Sequence, residues 1–302
     1  MASEPDSTKR ESKSKTMDSI KYAVICFLKG LVCSILLIIG LIIGGIVAAI
    51  VGLKQPTMPK SFDTTLAVLL MIPAGIMIAI TLGELFKKFN QSYREKVVCL
   101  FLFNYTIYYF LQVLEQIIFS TMMDLSYGLV SDIFPSLFIS LAVAKFWKSK
   151  GEDSKIRIEI KNFFKKRKTL DWAWRLLLAW LVYVPIYYFV GSAISPWVLP
   201  YYSGSNLDFG LVLPDTMTMI GMQFIRGAFY LLASLIVIIL WKESKRYLQL
   251  WLGFSIFIQI AVIPLIVGYW LPLELRFFHA IELTTDSFLQ AIIYVELLFN
   301  KR

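Results

Sequence analysis

Five polar residues near the C-terminus have the spacing of a chemical site. Arg276, His279, Glu282, Asp286 and Gln290 follow one another at intervals of three or four, and at about 100° per residue they share one helix face. A His and carboxylates along such a stripe can hand protons on or work as an acid and base pair. Arg226, Glu115 and Asp132 are the other ionisable groups set within apolar stretches. A charge in a bilayer costs roughly 2.5–3.5 kcal/mol on insertion scales unless it is paired or hydrated, which makes these residues the functional candidates.

Arg226 falls roughly 13 Å into its apolar stretch at 1.5 Å per residue, a depth close to that of Glu282 and Asp286. The expected arrangement is a hydrated or ion-paired cluster. In it Arg226 meets Glu282 or Asp286, His279 lies beside them, and Asp132 and Glu115 contribute from elsewhere in the chain. Arg276 sits at the mouth of the same stripe. Three roles fit such a cluster. The first is a solute or ion pathway in which Arg226 holds an anionic group or acts as a counter-charge. The second is membrane-embedded acid–base catalysis on a lipid-linked substrate. The third is non-catalytic: charges that lock helices together or pair with another subunit.

Other chemistries find little support. His279, Glu282 and Asp286 at i, i+3 and i+7 could face one ion, but His279 is the only His and Arg226 and Arg276 oppose a cation, so no metal is expected. No G-x-S-x-G elbow, Walker A loop, Cys-x-x-Cys pair or dinucleotide fingerprint occurs, and no cofactor is expected. Cys26, Cys33 and Cys99 lie in or near apolar runs and read as packing residues.

These side chains must be positioned by membrane helices. The chain is 58% hydrophobic and 17% charged, with mean hydropathy +0.68, whereas soluble domains carry about 25% charged residues. Runs of about 20 apolar residues recur, the length that crosses a hydrocarbon core about 30 Å thick. The fold class is therefore an all-α polytopic integral membrane protein. Spans are expected at roughly 30–53, 66–86, 97–120, 129–147, 174–198, 218–241, 248–270 and 280–299. The first is too long for a signal-peptide core and reads as uncleaved. Residues 1–21 are polar and read as a solvated, disordered tail.

Lys and Arg cluster in the tail, at 87–96, 145–168, 242–246 and 301–302, while the alternate connections are poor in cations. Basic loops stay on the cytoplasmic side, so both termini are expected there, in a multi-pass protein of the cell membrane. Residues 145–168 hold ten Lys or Arg against three acids, +7 of the chain's +9. Within that linker Ile156, Ile160, Phe163 and Phe164 fall at helical spacing among cations, a pattern that suits anionic headgroups along Lys155–Lys168. Nothing there resembles a folded nucleic-acid reader.

The two halves align on each other with a shift of about 146 to 154 positions: Lys29 on Arg175, Gly45 on Gly191, Asp63 on Asp215, Gly75 on Gly227 and Asp132 on Asp286. This predicts a first four-helix repeat at 22–147, a basic linker at 148–171 and a second repeat at 172–302. An even span count makes the repeats parallel. Gly40, Gly44, Ala48 and Gly52 recur every fourth residue and read as a close helix contact. The Tyr clusters at 105–109 and 183–188 read mainly as belts and packing.

Overall fold

The computed structural model describes residues 6–120, 124–149, 154–203 and 210–299. Among the described residues the architecture is helical, without strands. The helices are α1 (Asp6–Ile50), α2 (Thr64–Phe86), α3 (Tyr93–Phe119), α4 (Leu125–Phe146), α5 (Ile156–Phe164), α6 (Thr169–Val198), α7 (Thr216–Leu240), α8 (Lys245–Val267) and α9 (Leu273–Leu298). Seven of them, all except α5 and α9, are long and apolar enough to cross a membrane. The chain is thus a multi-pass helical membrane protein. The eighth expected span falls on α9, a helix of 26 residues that is not among the seven. At 1.5 Å per residue it is long enough to cross, but its charges keep it out of the apolar set. The outward face of α1 carries a row of exposed Ile, namely Ile35, Ile39, Ile42 and Ile46, a contiguous apolar surface that suits lipid rather than water.

One expectation is corrected at the N-terminus. Helix α1 starts at Asp6, so most of the supposed tail is helical. Propagating an existing helix costs far less than nucleating one, and a Lys- and Ser-rich extension of a long apolar helix can follow it outward. Residues 1–5 lie outside the described residues, as do 150–153 of the linker.

Successive long helices alternate between two ends of the bundle. At one end Tyr269 donates to the Asp63 carbonyl at 2.7 Å, and the Val212 amide donates to Phe119 O at 2.9 Å. At the other, Lys88 pairs with Glu243 and Lys242 with Glu159, each at 3.0 Å. We call these the acidic-loop end and the basic end.

Linker helix α5 lies at the basic end. Its apolar side serves the protein itself: Phe163 is buried against Trp172 with ring centroids 4.7 Å apart, and the Ile156 amide donates to Glu95 Oε1. Ile158 and Ile160 stay exposed beside Arg157, Lys161 and Lys165.

Contacts within the two halves match closely. Helix α1 packs on α2 and α4, and α6 packs on α7 and α9; α3 packs on α4, and α8 on α9. Gly75 of α2 meets Ser34 of α1, where an added Cβ would stand 2.7 Å from the Ser34 hydroxyl. Gly227 of α7 meets Trp180 O and Tyr183 of α6, both at 3.0 Å. Lys29 donates to Phe146 O in the last turn of α4, and Arg175 to Leu297 O in the last turn of α9. Asp63 and Asp215 both cap helix N-termini, accepting backbone N–H bonds at the starts of α2 and α7. Between the halves, α2 packs on α8 and α3 on α7.

Helices α3 and α8 each contain one π-helical stretch, Tyr105–Phe110 and Ile258–Val262, and the two stretches touch. Such bulges often accompany functional sites. The stripe on α1 is a close contact as expected: a Cβ on Gly44 would stand 2.0 Å from Ser131 O, and one on Gly40 2.5 Å from Pro135 Cα. This crossing falls where α4 is interrupted between Ser131 and Ile133, at Asp132. Pro135 supplies the cause, since it has no N–H to donate to Ser131 O.

Candidate functional site

The charged side chains converge toward the acidic-loop half of the bundle, around two adjoining cavities. One has a volume of about 350 Å³ and is lined by Tyr108, Tyr109, Gln112, Asp132 and Arg276 among others. Its neighbour has about 250 Å³ and is lined by Tyr187, Tyr188, Arg226 and Glu282 among others. Glu115, Phe119, Tyr202, His279 and Leu283 form a wall common to both. The cavities lie within or just below the usual size range of small-molecule sites, with few polar groups among apolar and aromatic ones.

Arg226, 1% exposed, is held from three sides. Nη1 donates to Gln223 Oε1 at 3.3 Å, one turn earlier on α7, and Nη2 pairs with Glu115 Oε2 of α3 at 3.5 Å. The Tyr183 and Tyr187 rings of α6 flank the guanidinium at 5.6 and 5.9 Å, a cation–π arrangement that gains strength in a desolvated site.

The expected pairing of Arg226 with Glu282 or Asp286 is therefore corrected: its carboxylate partner is Glu115, from the other half of the chain. Glu282 has other commitments. Its Oε2 lies 3.1 Å from His279 Nδ1, one turn earlier, and its Oε1 rests against α6 at Gly191, where an added Cβ would stand 3.3 Å away. The other ring nitrogen of His279, Nε2, lies 3.2 Å from the Tyr202 hydroxyl. Tyr202, His279 and Glu282 thus form one hydrogen-bonded chain along the shared wall. Burial pushes the Tyr202 hydroxyl well above the usual phenol range, with Glu115 nearby adding to the shift. It stays a neutral O–H, able to donate to His279.

Asp286 lies one turn beyond Glu282, and both of its carboxyl oxygens are buried without a hydrogen-bond partner. Asp132 lines the larger cavity at the interruption of α4, 3.4 Å from the Ser131 hydroxyl. The structure thus brings Asp132 and Glu115 to one cavity but does not bring Asp132 to Arg226's ion pair. Arg276 bonds backbone: Nε donates to Leu271 O at 3.0 Å and Nη1 to Leu265 O at 2.6 Å. The bond to Leu265 is the usual way a cation satisfies a free carbonyl at a helix C-terminus, here that of α8, and the bond to Leu271 holds the turn that follows it. Among the described residues, no three His, Cys, Asp or Glu side chains gather as a metal set.

Several participants lay outside the sequence reading. Gln223 could have been found, as a polar residue three before Arg226 on the same face. Tyr183 and Tyr187 read in the sequence as belts and packing, yet they flank the guanidinium. Gly191 stands out in the sequence only as the repeat partner of Gly45 and Tyr202 only as one of several aromatics near Trp197, because their roles here depend on how the chain around α6 meets α9. Comparison with known protein families, curated proteins and solved structures finds no match for this chain.

Proposed function

We propose that the protein moves a small solute or ion across the cell membrane, with the Arg226, Glu115, His279, Glu282 and Asp286 cluster as its binding place. The observation that carries this reading is the pair of cavities meeting at Glu115 and His279, with Arg226 buried on the wall of one. Cavity walls that are mostly apolar and aromatic favour a small organic solute with one polar group over a bare ion.

The matching contacts of the two halves support a duplicated four-helix unit with parallel copies, α9 completing the second. The two π-helical stretches occupy equivalent places, so the pseudo-twofold axis would run between them along the membrane normal. The basic end would face the cytoplasm with both termini. The exposed Arg157, Lys161 and Lys165 row of α5 would then lie at the level of anionic headgroups.

The test is flux in reconstituted vesicles, read as charge movement or tracer uptake across a panel of small organic ions. The native protein should transport at least one of them. Arg226→Gln and Glu282→Gln should abolish that flux while leaving a monodisperse, folded protein; unchanged flux in both would end this reading.

One observation favours a second reading, an acid–base enzyme acting on a lipid-linked substrate. The Tyr202–His279–Glu282 chain has the geometry of an oriented base. Under it, cells expressing the protein would contain a chemically altered lipid that is absent with His279→Ala, and an unchanged lipid profile would count against it.

A further inference from the structure

Beyond Glu282 the polar stripe of α9 continues inward without partners. Asp286, Gln290 and Tyr294, at i, i+4 and i+8, are almost wholly buried. Both carboxyl oxygens of Asp286, both amide atoms of Gln290 and the Tyr294 hydroxyl lack a hydrogen-bond partner. Helix α7, packed against α9, adds Gln223 Nε2, Arg226 Nε and Ser234 Oγ, also buried and unpartnered. The three α9 groups share one helix face, and α7 packs against that helix.

Each orphaned polar group forfeits the hydrogen bonds it makes in water, and so many on one helix pair is a heavy cost for a fold to carry. Such a set of groups calls for partners that can both donate and accept hydrogen bonds. The inventory of donors and acceptors says which. A bare cation would face the guanidinium N–H and two amide N–H groups, and a bare anion would face a carboxyl group. Water alone can serve both kinds of group in one file.

We propose that a file of internal water continues from the cavities past Asp286 and Gln290 to Tyr294, and that Asp286 takes up a proton from it. This deepens the transport reading, on which it rests, by naming the coupling ion. A hydronium entering from the acidic-loop end gives its proton to a carboxylate oxygen of Asp286 and leaves a water molecule behind. The groups that set this equilibrium are Glu282 on α9, Arg226 and Tyr230 on α7, Tyr183 on α6 and Glu115 on α3. Toward the basic end the file is closed by Val237, Leu240, Trp241, Val295 and Leu298, all essentially unexposed. The proton is therefore held in this arrangement and does not leak through.

Two measurements on the purified full-length protein, made without any solute, test the proposal. Radiolytic hydroxyl labelling read by mass spectrometry should oxidise buried Tyr294 about tenfold faster than equally buried Phe103, after correction for intrinsic reactivity, because internal water is the local radical source. Gln290→Leu, which fills the file with apolar atoms, should bring Tyr294 down to the Phe103 rate. Infrared difference spectra on acidification should show a carboxyl band that is lost in Asp286→Asn and kept in Glu282→Gln. Labelling of Tyr294 at the Phe103 rate in the native protein, or a band indifferent to Asp286→Asn, overturns the proposal and leaves the flux test of the cavity untouched. Loss of the transport reading would instead be seen as unchanged flux in both Arg226→Gln and Glu282→Gln, whatever the water does.

Discussion

Pairing Arg226 with Glu115 ties the two halves of the chain together, and a double-mutant cycle measures that tie. The perturbations are Arg226→Gln, Glu115→Gln and the double variant. An exposed ion pair contributes about 0–1 kcal/mol, whereas removing one partner of a fully buried pair costs about 3–5 kcal/mol. Here the Arg226 side chain is 2% exposed, that of Glu115 is 28% exposed, and the separation is 3.5 Å. The Glu115 carboxylate keeps part of its hydration, and Gln223 and two Tyr rings remain with Arg226 when it is gone. Interactions between polar side chains measured this way in membrane proteins reach about 1.7 kcal/mol at most, and the coupling expected here is about 1–1.5 kcal/mol. Equilibrium unfolding in mixed micelles supplies the four stabilities. A coupling below about 0.3 kcal/mol would refute the pairing, since it is no more than the usual deviation from additivity between independent sites. A larger coupling between Arg226 and Glu282 than between Arg226 and Glu115 would do the same.

Other expectations concern the scaffold. Gly44→Ala forces a Cβ onto the Ser131 carbonyl and should destabilise by about 1–3 kcal/mol, while Gly221→Ala, with nothing within 4 Å, should be neutral or stabilising in the same unfolding assay. Removing the Asp63 cap with Asp63→Ala should cost about 1 kcal/mol and speed amide exchange at Thr65 and Leu66. Bonds from the Thr218 hydroxyl and amide hold the Asp215 carboxyl below the usual carboxylate range. Its contribution is therefore present above the unfolded value and lost as pH falls through the depressed one. Exchange at the start of α7 should rise in acid, and Asp215→Ala, which removes the accepting oxygen, should show the faster exchange already at neutral pH without that pH dependence.

Much of the scaffold was legible because span length and punctuation are set by bilayer thickness and by Pro, Gly and charge. Helix cores matched, and most ends shifted by about a turn, as caps and fraying dictate, while α9 starts about two turns early and α1 reaches back to Asp6. The site was legible only in part. Depth along a helix follows from counting residues, so the convergence of Arg226, Glu115, His279 and Glu282 near one depth could be read in advance. Which carboxylate meets the guanidinium depends on the rotation of α3 against α7, and that is set by packing between the halves. The Gly44 contact was readable because small residues every fourth position have one common use. The π-helical turns were not, since Tyr105–Phe110 looks like any aromatic stretch until α3 and α8 meet.

The account stands on the two cavities being a solvent-accessible binding place reached from the acidic-loop end. The most direct measurement places a single thiol at Leu283, which lines both cavities. In a variant lacking Cys26, Cys33 and Cys99, Leu283→Cys is treated with a charged, membrane-impermeant thiol reagent applied to one face of sealed vesicles at a time. The account predicts modification from the face bearing Asp63 and Asp215, and none from the face bearing Lys88 and Lys242. Protection from both faces, or modification only from the basic face, would contradict it.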